Sequence, residues 1–238
     1  MRPVNRGKPP TDSNGNPRVF EDYKDASGLL CDRIGRYCSY CERNIKSSLA
    51  VEHICPKSLA PEKEREWDNF LLSCSNCNST KSKKNVNDEN IDDYFWPDRD
   101  NTYRAFVYRE DGSVCVNSEL SKENQKKSER TLKLFGLDKT PNNGASSKDY
   151  RWIDRRETWK TAQKCLSDFH DVKKESPQLV QRFRELILEA AQDCFSIWLT
   201  VFADELEICN LLVEKFTGTA KDCFDTKGRP VPRPGGQI

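Results

Sequence analysis

Two pairs of closely spaced cysteines place the strongest constraint on how this chain folds. Cys38 and Cys41 form one Cys-x2-Cys pair, and Cys74 and Cys77 form the other. Four thiolates in two such pairs complete a tetrahedral zinc site with no open position, which is typical of a structural metal. The segment between the pairs is longer than in a common zinc ribbon, so it has room for functional residues. The spacing predicts a structural Zn²⁺ at these four cysteines.

Composition limits the remaining possibilities. Charged residues make up 32% of the 238 residues, and the net charge is +1, so any binding to nucleic acid depends on local basic patches. The start of the chain has no apolar signal segment, and the longest apolar run, near residues 194–203, is about half as long as a membrane span requires. We expect a cytoplasmic protein without a membrane segment, whose other seven cysteines are reduced thiols.

The segment between the cysteine pairs predicts two strands followed by a helix. Residues 49–54 alternate and are β-branched, Pro56 ends this strand, and residues 70–73 form a second strand. A helix is predicted from residue 75 to about residue 84, with Ser75 as its N-cap. So small a β-β-α unit buries little apolar surface, and a bound metal would supply folding free energy that its core cannot.

The first predicted strand carries an acidic residue and a histidine side by side. Imidazole is partly neutral near pH 7, so His53 is a candidate base. Neighbouring strand residues point to opposite faces, so Glu52 and His53 share a site only where the strand ends or twists, and Pro56 fits such an ending. The other histidine, His170, lies on a distant predicted helix, where we expect an exposed or capping role.

The order of these residues resembles the HNH (ββα-metal) endonucleases of the zinc-bearing, four-cysteine type. The resemblance rests on Glu52-His53, Asn69 and Asn78 between and beside the cysteine pairs, and covers roughly residues 31–85. It implies hydrolysis of phosphodiester bonds with His53 as the general base. Glu52 and Asn78 would hold one catalytic divalent ion, and Asn69 would brace the loop and orient His53.

Two departures from the commoner family pattern bear on the catalytic metal. Glutamate replaces aspartate before the histidine, and asparagine replaces the final histidine, which favours Mg²⁺ or Mn²⁺ over zinc or nickel. Lys81, one helical turn beyond Asn78, is predicted to meet the scissile phosphate. The other candidate nucleic-acid contacts are Lys57, Lys83, Lys84, Arg43 and Lys46. No base-reading element is apparent, so we expect little sequence specificity.

Beyond this segment, the sequence predicts an α+β chain in four parts. Residues 1–30 form an extended arm, in which Arg2, Arg6 and Lys8 are either phosphate contacts or part of a solvated tail. Residues 31–117 hold the nuclease module and a β-hairpin that turns at Asp111-Gly112. Residues 118–217 are helical, with a helix at 147–172 and one long amphipathic helix, or two abutting ones, after Pro177. Residues 218–238 are predicted to be a disordered tail.

A looser resemblance concerns the whole chain. The N-terminal opening, the HNH segment and the helical half resemble small bacterial HNH proteins encoded beside ATPases, including the nuclease subunit of Septu-type antiphage systems. This implies an ATPase partner docked on the helical half, since the chain has no Walker-type phosphate loop. Plain bundle core is the alternative explanation of the helices. DNA is the favoured substrate, while RNA such as tRNA, or a non-catalytic zinc adaptor, stays open.

Overall fold

The computed structural model describes residues 1–82 and 84–238, which form a mixed α+β fold, and the predicted fold class is confirmed. The helices of this described part are α1 Ser27–Ile34, α2 Ser75–Lys81, α3 Lys122–Phe135, α4 Arg151–Glu175, α5 Val180–Ala190, α6 Phe195–Val201 and α7 Leu206–Lys215. Its strands are β1 Ala50–His53, β2 Phe70–Ser73, β3 Phe106–Tyr108 and β4 Val114–Val116. None of the described helices combines the length and the apolar character that crossing a bilayer demands.

The predicted β-β-α order lies between the cysteine pairs. β1 pairs antiparallel with β2, so that Glu52 faces Leu71 and His53 faces Phe70. The helix α2 begins directly after β2, and its N-cap is Cys74, whose Sγ accepts the backbone N–H of Cys77. The predicted cap, Ser75, is instead the first helical residue, because the sulfur already satisfies this donor. α2 ends at Lys81, and the candidate contact Lys83 lies outside the described residues.

The second hairpin forms where the Asp-Gly pair predicted it. β3 pairs antiparallel with β4, and the side chain of Asp111 accepts the backbone N–H of Ser113 across the turn. Gly112 has a positive φ of 82°, and a Cβ at this position would lie 2.1 Å from the carbonyl oxygen of Trp152. Glycine is therefore required both by the turn and by the close approach of α4.

Two hydrophobic cores form within the described residues. The first is built by β1 to β4, α1, α3 and the N-terminal segment, with Phe135, Trp96 and Leu71 fully buried. The second lies among α4, α5, α6 and α7 and is centred on Trp198 and Phe202. α4 begins and ends a few residues later than predicted.

The prediction of one or two long helices after Pro177 is wrong. The chain forms α5, α6 and α7, with breaks near residues 191–194 and 202–205. At the first break Cys194 adopts a positive φ of 46°, and its backbone N–H donates to the carbonyl of Glu42. This contact with the cysteine-rich turn takes the donor that a continuous helix would use. The apolar periodicity reports burial along the whole segment and does not detect the interruption.

The predictions for the two ends of the chain also need correction. Arg2 and Arg6 are buried and donate to the carbonyls of Ile34 and Phe70, so they hold the fold and do not face phosphate. Residues 218–238 are ordered, in contrast to the predicted disorder. Asn101 donates its amide to two carbonyls of this segment, those of Cys223 and Val231, and Ile238 is buried.

Candidate functional site

The four predicted cysteines converge on one point. Their Sγ atoms all lie within 4.8 Å of one another, and each residue is buried. Those of Cys41 and Cys74 are 3.6 Å apart. Tetrahedral Zn–S bonds of about 2.3 Å separate sulfurs by roughly 3.8 Å, so the cluster has the size of a zinc site. Four soft sulfur donors and no open position fit a structural Zn²⁺, and the prediction of a four-cysteine cluster is confirmed.

Two arginines surround the sulfur cluster, and both connect it to α4. Arg151, the first residue of α4, donates from Nη1 to Cys77 Sγ at 3.1 Å and pairs with Asp149 at 2.7 Å. Arg43 pairs with Asp154 of α4 at 2.9 Å. Four thiolates around Zn²⁺ would carry a net charge of −2, and the guanidinium groups, each also paired with an aspartate, would offset part of it. Arg43, predicted to contact nucleic acid, is instead tied to the helical half.

Three of the four residues predicted to be catalytic, Glu52, His53 and Asn78, line a single open cleft beside the sulfur cluster. Its volume is about 290 Å³, and the walls include Glu52, His53, Asn78, Lys81, Lys57 and Tyr23. His53 is the last residue of β1, and the chain bends before Pro56. The strand therefore ends where the sequence required it to, and two neighbouring residues reach one site.

His53 is held by its Nε2 atom. This nitrogen lies 2.9 Å from the carbonyl oxygen of Glu64. Because a carbonyl only accepts hydrogen bonds, Nε2 carries the proton and Nδ1 of the neutral imidazole has a free lone pair. The ring also packs edge-on against Phe70 and Tyr23, with centroid distances of 5.4 and 4.7 Å. The imidazole is thus anchored with Nδ1 as the atom that can take a proton.

Glu52 forms a buried ion pair with Lys81. The Nζ atom of Lys81 lies 2.6 Å from Oε1 of Glu52 and also donates to the carbonyl of His53 at 2.6 Å. The second carboxylate oxygen accepts the hydroxyl of Tyr40. Lys81 is only 1% exposed, so in this structure it balances the charge of Glu52 at the base of the cleft. The ammonium predicted to meet the scissile phosphate is committed to these two partners.

Asn69 lies outside the cleft and joins the two ends of the loop that follows β1. Its Oδ1 accepts the N–H of Cys55 at 2.8 Å, and its Nδ2 donates to the carbonyls of Cys55 and Lys63. Its own carbonyl accepts the N–H of Ile54. These bonds fix the backbone on either side of the turn that carries the Glu64 carbonyl, the partner of His53.

The oxygen donors of the cleft fit a hard divalent cation. Glu52 offers a carboxylate and Asn78, in the first turn of α2, offers an amide oxygen, which are ligands that Mg²⁺ and Mn²⁺ accept. Any such ion would share Glu52 with Lys81 and Tyr40, because each of the two carboxylate oxygens already has a hydrogen-bonding partner.

Three residues of the site escaped the sequence analysis. Tyr40, between the first two cysteines, stacks on Phe135 at 3.7 Å and donates to Glu52. Tyr23 comes from the N-terminal segment, and Glu64 acts through its backbone carbonyl. A backbone contact leaves no signal in residue type, and Tyr23 reaches the cleft only through tertiary packing.

The remaining basic candidates for contacts with nucleic acid lie at the protein surface. Lys57 is exposed and pairs with Glu64 at 2.9 Å. Lys84 and Lys46 are exposed at the surface. These three stay predictions for contacts with a nucleic-acid backbone.

The segment combines a ββα unit, four converging cysteines and a Glu-His pair at the end of its first strand. Residues 38–84 match the family model described as HNH endonuclease, and the chain therefore carries an HNH endonuclease domain. The match begins at Cys38, the first cysteine of the cluster, and includes every residue predicted to be catalytic. Comparison with curated proteins gives no match.

Proposed function

We propose that this chain is a metal-dependent endonuclease that hydrolyses the phosphodiester bonds of DNA, with His53 as its general base. The observation that carries the proposal is the meeting of Glu52, His53 and Asn78 in one cleft of the matched domain. The cleft is open, and its walls carry the polar or charged side chains of Glu52, His53 and Asn78 together with Lys57 and Lys81.

Hydrolysis requires a group that takes a proton from water. Nδ1 of His53 has this role, because Nε2 is already bonded to the Glu64 carbonyl. The same bond stabilises the imidazolium that forms when the proton arrives, since the carbonyl dipole faces the positive ring. Asn69 keeps the loop, and therefore the carbonyl, in place.

Hydrolysis also builds negative charge on the phosphate and on the leaving oxygen. A divalent ion held by the oxygens of Glu52 and Asn78 would supply the positive charge that offsets it. Lys81 fixes the position of the buried Glu52 carboxylate beside the cleft, because its ammonium contacts both Oε1 of Glu52 and the backbone of His53.

The substrate contacts proposed around the cleft are to the backbone and not to bases. Lys57 and Lys84 are exposed and close in sequence to the catalytic residues, and a lysine ammonium attracts any phosphate. We therefore propose cleavage with little sequence preference. The choice of DNA over RNA follows the resemblance to HNH endonucleases and is the part of the proposal that the experiment must decide.

The test is cleavage of supercoiled plasmid and of total RNA by the zinc-loaded chain, with Mg²⁺ or Mn²⁺ added. The His53→Ala variant should lose about 10²- to 10⁴-fold in rate, the usual contribution of a general base. The matched control is His170→Ala, since His170 is the other histidine and is exposed on α4, where it pairs with Glu205.

Each outcome has a distinct meaning if both variants keep their circular dichroism and zinc content. Cleavage of RNA but not of plasmid would show that the substrate is RNA and not DNA. Equal activity of His53→Ala and wild type would contradict the assignment of the base. Absence of any cleavage by the wild type, alone and with its partner, would favour a zinc-binding adaptor.

We further propose that the chain is the nuclease effector of an antiphage complex and that an ATPase partner docks on the helical half. Two leucines in and just before α5 support a partner surface, because Leu179 and Leu186 are 50% and 39% exposed. The test is co-purification with any ATPase that a neighbouring gene encodes, and phage plating with His53→Ala as the inactive control. Failure of the ATPase to bind would contradict the docking proposal alone.

A further inference from the structure

An aromatic side chain from outside the matched domain forms part of the catalytic cleft. Tyr23 opens a short 3-10 turn, Tyr23–Ala26, that packs against β1. A capping box fixes this turn: Asp22 accepts the N–H of Lys24, and Asp25 accepts the N–H of Asp22. The turn is thus rigid where Tyr23 leaves it, and its ring lies at 62° to the imidazole of His53 with the centroids 4.7 Å apart.

The contacts of Tyr23 belong to a closed circuit around His53. The ammonium of Lys57 lies over the tyrosine ring, 4.8 Å from its centroid, and pairs with the carboxylate of Glu64 at 2.9 Å. The carbonyl of the same Glu64 holds Nε2 of His53. Each member therefore touches two others, and the loop after β1 and the N-terminal segment close on the imidazole together.

We propose that Tyr23 is a positioning residue of the nuclease centre, an inference that rests on the proposed function. The hydrogen bond at Nε2 fixes one atom of the ring, but the imidazole plane can still tilt while that bond is kept. Tyr23 and Phe70 restrict the tilt, because their rings pack on His53 at 4.7 and 5.4 Å. Orientation of Nδ1 toward the attacking water thus depends on a residue that the matched segment, residues 38–84, does not contain.

Two other roles for Tyr23 lead to different outcomes. If its hydroxyl contacts the phosphate, Tyr23→Phe loses activity. If its ring stacks on a base of the substrate, Tyr23→Leu raises KM and leaves kcat unchanged. Positioning through the ring requires the opposite pattern in both variants: full activity with phenylalanine, and a loss confined to kcat with leucine.

The first arm of the test observes His53 directly and does not depend on cleavage. The chain has only two histidines, so the His170→Gln background leaves one imidazole in long-range ¹H–¹⁵N spectra. At pH 8, wild type and Tyr23→Phe should show the Nε2–H tautomer, because Nε2 faces the Glu64 carbonyl. Tyr23→Leu should show a mixture of tautomers and lose the ring-current shift of the His53 protons. Tyr150→Leu is the matched control, since Tyr150 is 55% exposed and outside the cleft.

The second arm measures steady-state cleavage with saturating metal. Tyr23→Leu should lower kcat on the order of 10- to 100-fold, the cost of misplacing a catalytic group by a fraction of an ångström to an ångström, with KM changed by less than about twofold. Tyr23→Phe and Tyr150→Leu should stay within about twofold of wild type. Lys57→Met, which removes the cation over the ring, should fall between the two.

Unchanged tautomer and unchanged kcat in Tyr23→Leu, in a variant that keeps its zinc, would overturn the proposal. Equal losses in Tyr23→Phe and Tyr23→Leu would overturn it as well and assign the hydroxyl instead. If the wild type cleaves neither DNA nor RNA, the proposed function fails on its own, while the tautomer spectra still decide whether Tyr23 holds the imidazole.

Discussion

The described residues form two small antiparallel hairpins, and the two differ in how their side chains are buried. In the zinc hairpin, β1 and β2, all four residues of β2 are buried, and so are the polar side chains Glu52 and His53. In the glycine hairpin, β3 and β4, burial alternates along β3, where Val107 is 40% exposed between two buried neighbours, and in β4 Val114 is buried while the next two residues are partly exposed. One face of the glycine hairpin is exposed to solvent, as is common for antiparallel strand pairs, whereas the zinc hairpin is buried on both faces.

The difference shows what a hairpin needs in order to bury polar side chains. Burying an ionised carboxylate is unfavourable unless a partner compensates it, and Glu52 has both Lys81 and Tyr40. The glycine hairpin needs only a turn, formed by Asp111 and Gly112, and an apolar face. Zinc bound at the four cysteines would stabilise a hairpin that carries polar groups in its interior, and we expect the two hairpins to respond differently to matched changes.

The largest expected difference is the response to loss of a cysteine. Cys77→Ser removes one of four converging sulfurs and should abolish zinc binding, which supplies on the order of 10 kcal/mol or more in small zinc-dependent folds. The matched change in the glycine hairpin, Cys115→Ser, alters a half-buried thiol without a cluster and should keep zinc. Metal analysis and thermal denaturation with and without EDTA measure both. A Cys77→Ser protein with full zinc and an unchanged melting temperature would contradict the structural site.

The next difference concerns the buried charge. Lys81→Met leaves Glu52 without its ammonium in a site that is 4% exposed, which should lower the free energy of unfolding by about 3–5 kcal/mol. The double variant Glu52→Gln/Lys81→Met should recover most of the loss, because no unpaired charge remains. Urea unfolding measures each variant, with Lys133→Met, from an exposed pair on α3, as a control without measurable effect.

Recovery is the informative arm of this experiment. If the double variant is as unstable as Lys81→Met, packing of the lysine stem and not its charge would explain the loss. The pair would then not be the means by which the zinc hairpin tolerates a buried carboxylate.

The glycine hairpin has its own point of failure. Gly112→Ala places a Cβ 2.1 Å from the Trp152 carbonyl at a φ of 82°, and should cost about 3 kcal/mol without loss of zinc. Gly15→Ala separates strain from contact, because Gly15 has a φ of 83° and nothing within 4 Å of the added carbon. The Gly15→Ala control should lower the free energy of unfolding by about 1 kcal/mol. Equal melting temperatures for the two variants would show that α4 can shift away from the added Cβ at little cost in stability.

The comparison also explains which features the sequence could predict. The four cysteines, the Asp111-Gly112 turn and the strand end after His53 are local patterns, and the structure has each of them. The break before α6 depends on a bond from Cys194 to Glu42, far away in the chain. The order of residues 218–238 and the contact of Tyr23 with the cleft are equally non-local. Residue type and periodicity carry no record of such partners, so these features required the structure.

The smallest expected difference compares two asparagines that hold the ends of the hairpins. Asn69, just before β2, makes three side-chain bonds to backbone and is 5% exposed, so Asn69→Ala should cost about 2 kcal/mol. Asn117, just after β4, makes two bonds at a half-buried position, so Asn117→Ala should cost about 1 kcal/mol.

The two asparagine variants should separate more clearly in cleavage than in stability. Asn69→Ala releases the loop that carries the Glu64 carbonyl, so His53 loses its fixed tautomer and the rate should fall. Asn117→Ala acts on the hairpin without catalytic residues and should cleave at the wild-type rate. Urea unfolding and initial rates on plasmid measure both effects. If the two variants lose activity equally, the rate follows global stability, and the bracing of His53 by Asn69 is not a separate contribution.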